Sequence, residues 1–410
     1  MTAKKVLIVG GGASGLAAAI SAARKGGEVV LIEGLNRVGK KILATGNGRC
    51  NLSNITANIT HYHGENPKFI EGAFTQVDVE ETLRFFQLLG LETKVEDEGK
   101  VYPLSDQGSS VLDLLRYEVE KLEVNQILED PVRTLQKKDN RFILETESKR
   151  KITGDAVILA TGGMSAPKLG SKGSGYDLGK SVGHGLTPVF PALVQIKCDN
   201  RSFRSLKGVK IQGSIKLEAE GKVLRKEQGE VLFTDYGVSG PPVLQLSRGV
   251  QECLQKNRVP WVVLDFFPEA GEEKIYETLW MLVSLDGKKP FDFSLIGILN
   301  KKVIPVILKE IGITNMKKAC EEVTDKEIQR LAKILKNCRL KSTGTLSWKD
   351  SQVTAGGIRT DEVNPKTLES KKIKGLYFAG EILDVDGDCG GFNLQWAWSS
   401  GIIAGEKAAE

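Results

Sequence analysis

A glycine-rich run, Gly10-Gly11-Gly12-Ala13-Ser14-Gly15, joins a short apolar stretch, Val6–Val9, to an Ala- and Leu-rich one, Ala13 to Arg24. Glycine in this pattern, after a strand and opening a helix, marks a dinucleotide-binding turn. Gly10 permits the tight turn, Gly12 lets backbone approach a pyrophosphate, and Gly15 allows helix and strand to pack closely. The helix start at Ala13 and Ser14 offers unpaired N–H groups and a positive dipole end to phosphate oxygens. Glu33 closes the next apolar strand, 29–33, about 20 residues further on, where an acid suits a ribose diol and disfavours a 2′-phosphate.

Two later segments favour FAD over NAD as the resident dinucleotide. Ala160-Thr161-Gly162-Gly163 ends an apolar strand from Ala156, as expected where the chain passes the cofactor again. Leu376-Tyr377-Phe378-Ala379-Gly380-Glu381 repeats the strand-then-glycine pattern, and Asp384, Asp386 and Asp388 follow. Gly390-Gly391-Phe392-Asn393 then enters a closing helix from Leu394. A helix N-terminus aimed at the flavin N1/C2=O edge would stabilise the charge of reduced flavin. Lys40 and Lys41 follow Gly39 and read either as contacts to phosphate or flavin oxygens or as surface charge.

A chain of 410 residues is too long for one hydrophobic core. The α/β texture covers 1–190 and returns at 346–410. It includes helices at 78–90 and 111–122 and a hairpin at 132–135 and 142–146. Between them, 191–345 alternates as antiparallel strands around 194–198, 211–217 and 231–233, then turns helical from 272 to 340. The expected fold is α/β: a Rossmann-like FAD-binding domain, glutathione-reductase-like, interrupted by a β-barrel-like and helical substrate or cap domain.

Cys50, Cys198, Cys253, Cys320, Cys338 and Cys389 are scattered without a CxxC pair, which fits free thiols in the cytoplasm and argues against zinc or disulfides. With His61, His63 and His184 as the only histidines, no metal is expected; His61 and His63 read as surface residues and His184 as a turn residue. No run approaches the ~18 apolar residues of a membrane span. Residues 301–341 carry eleven Lys or Arg against five acids. They read as a solvated helical face or as a surface that steers anions.

The chain resembles the bacterial FAD-dependent oxidoreductases grouped with aminoacetone oxidase and the BaiN-type bile-acid dehydro-steroid reductase. The resemblance rests on Gly39-Lys40-Lys41, on Thr45-Gly46-Asn47-Gly48-Arg49-Cys50-Asn51, on 233–241 and 353–357, and on 365–405 with its Gln395-Trp396-Ala397-Trp398 run. It implies FAD contacts at Ser14, Glu33, Lys40, Lys41, Asn47, Gly48, Arg49, Cys50, Asn51, Val132, Thr161, Gly380, Glu381, Phe392 and Asn393. The Asp235-Tyr236 pair stands where relatives often carry His and another aromatic; if that segment lines the substrate pocket, the specificity of any one relative does not carry over.

The chemistry expected is hydride transfer between non-covalent FAD and a small organic substrate, by reduction of an activated C=C bond or oxidation of a C–N or C–H bond. No second GxGxxG appears, so NAD(P)H would visit the flavin as a diffusible donor, or oxygen would reoxidise it. Arg49 is the candidate catalytic residue, through paired hydrogen bonds to a carbonyl or carboxylate; the alternative is an arginine that pins its own loop. Cys50 as a flavin tether or a redox partner of Cys389 is disfavoured. Trp396 and Trp398 read as core rather than as stacking residues. A flavoprotein that modifies RNA with a one-carbon unit, and a non-catalytic redox sensor, are the rival functions. Nucleic acid is not an expected partner, because no aromatic-and-basic RNA-binding module is visible.

Overall fold

The computed structural model describes residues 3–199 and 202–410. The chain divides into two compact units, one reaching Pro191 and resuming at Ser351–Glu410, the other Ala192–Asp350.

The first unit is built on a five-stranded parallel sheet. Its strands are β1 (Lys5–Val9), β2 (Glu28–Ile32), β3 (Asn125–Ile127), β4 (Ala156–Leu159) and β5 (Leu376–Phe378), in the order β5-β4-β1-β2-β3. Register runs Val6 beside Ala156 and Val29, and Leu159 beside Phe378. The central strands are continuous apolar runs because packing buries both their faces. Helices Ala13–Arg24 and Phe392–Ala409 pack on them, and so does the antiparallel sheet of Val132–Lys138, Arg141–Thr146 and Lys151–Gly154, where a Cβ on Gly154 would lie 2.5 Å from the Leu7 side chain. Helix α1 (Ala13–Arg24) and the closing helix α3 (Phe392–Ala409) pack together, with α2 (Gly108–Lys121) beside α1. Small residues make that approach possible: a Cβ on Gly405 would lie 2.3 Å from the carbonyl oxygen of Ala18. Strand order reverses between β1 and β4, so the crevice at their carboxyl ends is where this architecture receives ligands.

The second unit closes six antiparallel strands into a barrel: Ile196–Cys198, Gly237–Ser239, Lys222–Phe233, Lys210–Ala219, Trp261–Asp265 and Cys338–Thr345. Two features differ from the sequence reading. Cys338–Thr345 is a barrel strand rather than the end of the helical stretch, because Cys338, Leu340 and Ser342 alternate inward with period two. Pro241–Gln255, to which the sequence reading assigned no element, is a helix that buries Val243, Leu246 and Val250. The basic stretch is also partly internal. Lys318 pairs with Glu327 and Lys336 with Asp265, both with little exposure, which removes these two cations from any steering surface, whereas Arg339, paired with Glu218, stays exposed. No helix among the described residues is long and apolar enough to cross a membrane.

Candidate functional site

At the reversal point the glycine turn after β1 meets the turn after β4. Gly10 has φ +105°, and a Cβ there would lie 2.5 Å from the Ala160 carbonyl oxygen. Helix α1 starts with Gly12 as its N-cap, without a side-chain cap. A Cβ on Gly12 would meet nothing within 4 Å. The first-turn N–H groups, Ala13 and Ser14 among them, therefore face open space, the arrangement that accepts phosphate oxygens. Glu33 is fixed beside this turn: its carboxylate accepts from the Gly11 N–H at 2.7 Å and the Leu35 N–H at 2.8 Å. Val132 is buried just after Pro131, which packs on Gly34, so it lies at the same edge.

The turn after β5 completes the crevice. The Ser14 hydroxyl donates to the Ala379 carbonyl at 3.2 Å. The Gly380 N–H donates to Ser400 Oγ, and the Trp396 indole N–H donates to the Gly380 carbonyl. Glu381 accepts from Lys41 Nζ at 2.8 Å, Ser165 Oγ at 2.8 Å and the Thr354 N–H at 2.7 Å. Thr161 and Gly162 lie on this rim, with Gly162 facing Glu381. Lys40 is half-buried, whereas Asn47 and Gly48 are exposed. Trp396 and Trp398 are buried in the core; Trp398 donates to the Leu52 carbonyl.

The loop through Arg49 ends at the start of α3. Arg49 donates to Asp106 and Glu96 and lies 4.0 Å over the Tyr102 ring. Its partners are thus carboxylates that fold the loop, and Arg49 with Lys94 holds both acids below the usual carboxylate range. Cys50 is buried, and burial pushes its thiol up to about 12, so it stays protonated. Asn51 is also buried, and its side-chain oxygen has no hydrogen-bond partner among the described residues. It faces Gly391, the N-cap of α3, which has φ +104° and no side-chain cap. Asn393 bonds back to Gly387 through both its oxygen and its nitrogen.

A cluster that the sequence reading missed adjoins this helix start. His61 and His63 are half-buried rather than surface residues. Tyr62–His63 pairs with Asp386–Gly387, and both rings reach Asp388: His63 Nε2 at 2.8 Å and His61 Nδ1 at 3.4 Å. His61 stacks on Phe392, with centroids 4.2 Å apart. His184 directly follows the turn at 182–183 and is buried, between Glu362 and Ser370.

A family model described as HI0933-like protein Rossmann domain matches residues 4–407. The chain belongs to this family. It is an FAD-dependent oxidoreductase with a Rossmann-type cofactor domain and a closed-barrel second unit. It is 41% identical over 408 residues to a 3-dehydro-bile acid delta(4,6)-reductase of Clostridium scindens, covering 99% of each chain. It is 30% identical to a ribosomal RNA dihydrouridine synthase of Escherichia coli, over 96% of this chain and 95% of that one. A solved 3-ketosteroid-delta4-(5alpha)-dehydrogenase from Rhodococcus jostii aligns over 99% of this chain and 97% of that one, with 16% identity and a TM-score of 0.48.

Proposed function

We propose that this protein uses FAD and NAD(P)H to reduce a C=C bond conjugated to a carbonyl in a steroid-like 3-oxo compound. The observation that carries this reading is the 41% identity, spread over 99% of both chains, to a reductase acting on such a bond. The crevice residues suit the cofactor. The open end of α1 at Gly12 to Ser14 would take the pyrophosphate, and Glu33 the adenosine ribose. Lys41 and Glu381 would flank the ribityl and phosphate region. The unpartnered Asn51 oxygen would accept from an N–H donor of the flavin ring, and the uncapped start of α3 would suit a flavin carbonyl oxygen. Bound there, FAD supplies a two-electron carrier that exchanges hydride with substrate. Arg49 holds its own loop rather than the reacting atoms, as its two carboxylate partners support.

A second reading is reduction of uridine in ribosomal RNA, favoured by the 30% identity to a dihydrouridine synthase over 96% of this chain. The C5=C6 bond of uracil is conjugated to C4=O, so its saturation needs the same chemistry on a different substrate. Incubating the yellow protein with NADPH and either a 3-oxo-4-ene steroid or unmodified ribosomal RNA separates the two. A steroid gaining two hydrogens, with RNA unchanged, supports the first reading. Dihydrouridine formation alone reverses the choice.

A further inference from the structure

Reducing a conjugated C=C bond takes a proton as well as a hydride. The titratable groups at the crevice are mostly engaged elsewhere. Glu381 accepts from three donors, Arg49 is held by two carboxylates, and burial raises Cys50 and Tyr62. The histidine pair on Asp388 is different. Asp388 presents one carboxylate oxygen to each ring, and its side chain is only 10% exposed. His63, at 2.8 Å, donates its Nε2 proton to Oδ1, which fixes the ring and leaves Nδ1 facing outward. His61 is held more loosely by Asp388, at 3.4 Å, and more firmly by its stack on Phe392, the first residue of α3. The outer nitrogens, His61 Nε2 and His63 Nδ1, have no hydrogen-bond partner among the described residues. Their side chains are 31% and 27% exposed.

A buried carboxylate behind an imidazole holds the ring in place and stabilises its protonated form, and imidazole carries and releases protons near neutral pH. Here one carboxylate serves two rings beside the start of α3, where His61 stacks on Phe392 and Asn51 faces Gly391. Other charged groups around the pair are Asp386 on the paired strand, Asp384 just before it, Glu65 on the loop after His63, and Arg359, ion-paired to Glu65. Lys100 and Glu98 lie near Cys389.

We propose that His61 and His63, oriented by Asp388, deliver the proton that completes C=C reduction, a role that rests on the reductase reading above. The substrate's β-carbon accepts a hydride derived from the dihydronicotinamide by way of the flavin. The C=C electron pair moves toward the carbonyl oxygen to give an enolate. The outer N–H of a protonated ring, His61 Nε2 or His63 Nδ1, then transfers its proton to the α-carbon, the carbonyl reforms, and the neutral imidazole left behind is reprotonated from solvent. The substrate thus gains one hydride and one proton, and the dihydronicotinamide is oxidised by two electrons.

The test separates the two half-reactions in anaerobic stopped flow with the holoprotein, using NADPH for the first and a 3-oxo-4-ene steroid for the second. In H61Q/H63Q the steroid step is expected to slow about 100-fold relative to the NADPH step of the same sample, and to lose its pH dependence. A double variant whose steroid step keeps the wild-type rate and pH profile overturns the proposal alone. Wild-type protein that is bleached by NADPH but reoxidised by no enone overturns the reductase reading with it. Histidine-selective NMR of the holoprotein gives a readout independent of turnover. D388N should shift the ring nitrogen signals of His61 and His63, since it replaces the carboxylate that holds both rings at 3.4 and 2.8 Å. Ring signals identical to those of the wild type contradict the role given to Asp388.

Discussion

Lys41 Nζ lies 2.8 Å from Glu381 Oε2, across 340 positions of sequence, and this pair ties the loop after β2 to the turn after β5. Both side chains are half-buried, so the contact is screened less than a fully exposed pair. Ser165 and the Thr354 N–H share the same carboxylate, which makes Glu381 the junction of four segments. A double-mutant cycle with K41M and E381Q should give a coupling of about 1 kcal/mol in thermal or urea unfolding. Strict additivity would show that the pair does not organise the crevice.

Two neighbouring glycines are expected to fail in different ways. G10A places a side chain at φ +105° and 2.5 Å from the Ala160 carbonyl, so it should destabilise the fold by about 1–3 kcal/mol. G12A meets open space in an extended conformation that alanine accepts, so its cofactor-free form should melt as the wild type does. Its Kd for FAD should nonetheless rise at least about tenfold, about 1.4 kcal/mol, because the added methyl occupies the phosphate approach. Titration with FAD checks this; a G12A protein that binds as tightly as wild type contradicts the pyrophosphate assignment.

Cys50 should be chemically silent. Its thiol is pushed up to about 12 by burial, so thiolate is scarce near neutral pH. Native protein should leave Cys50 unlabelled by iodoacetamide, and C50S should remain yellow. Acid precipitation should release all the flavin, and flavin retained on the polypeptide would show a covalent tether.

His184 gives the fold an acid-sensitive limb. Burial lowers its pKa below that of ordinary imidazole, with Glu362 opposing the shift. The unfolded chain therefore binds the proton more readily than the folded one. The associated stability is complete above the ordinary imidazole pKa of about 6.5 and is lost as pH falls through the folded value. Urea midpoints measured from about pH 7 down to about pH 5 should fall in the wild type and fall less in H184Q. Parallel curves for the two proteins would remove His184 as the source.

The glycine turn, Glu33 and the strand-then-glycine repeat at Gly380 were legible in sequence because close backbone approach and helix starts demand particular residue types. The barrel was legible as alternating strands, yet Cys338–Thr345 was absorbed into the preceding helical period, which ends at Lys336. The closing helix begins at Phe392, two residues before Leu394, because Gly391 ends the turn. The histidine cluster was invisible for a different reason: His63 and Asp388 are 325 positions apart, and only the pairing of two very short strands brings them together. Sequence spacing likewise left Arg49 open between catalysis and loop-pinning, since Glu96 and Asp106 become its partners only in the fold.

Anaerobic reduction of the yellow protein, followed by flavin absorbance, addresses the proposed reaction directly. NADPH or NADH should bleach the flavin rapidly, and one equivalent of a 3-oxo-4-ene steroid should restore the colour with formation of the saturated ketone. Bleaching by an amine alone, with peroxide appearing when air is admitted, would identify an oxidase and contradict the assignment.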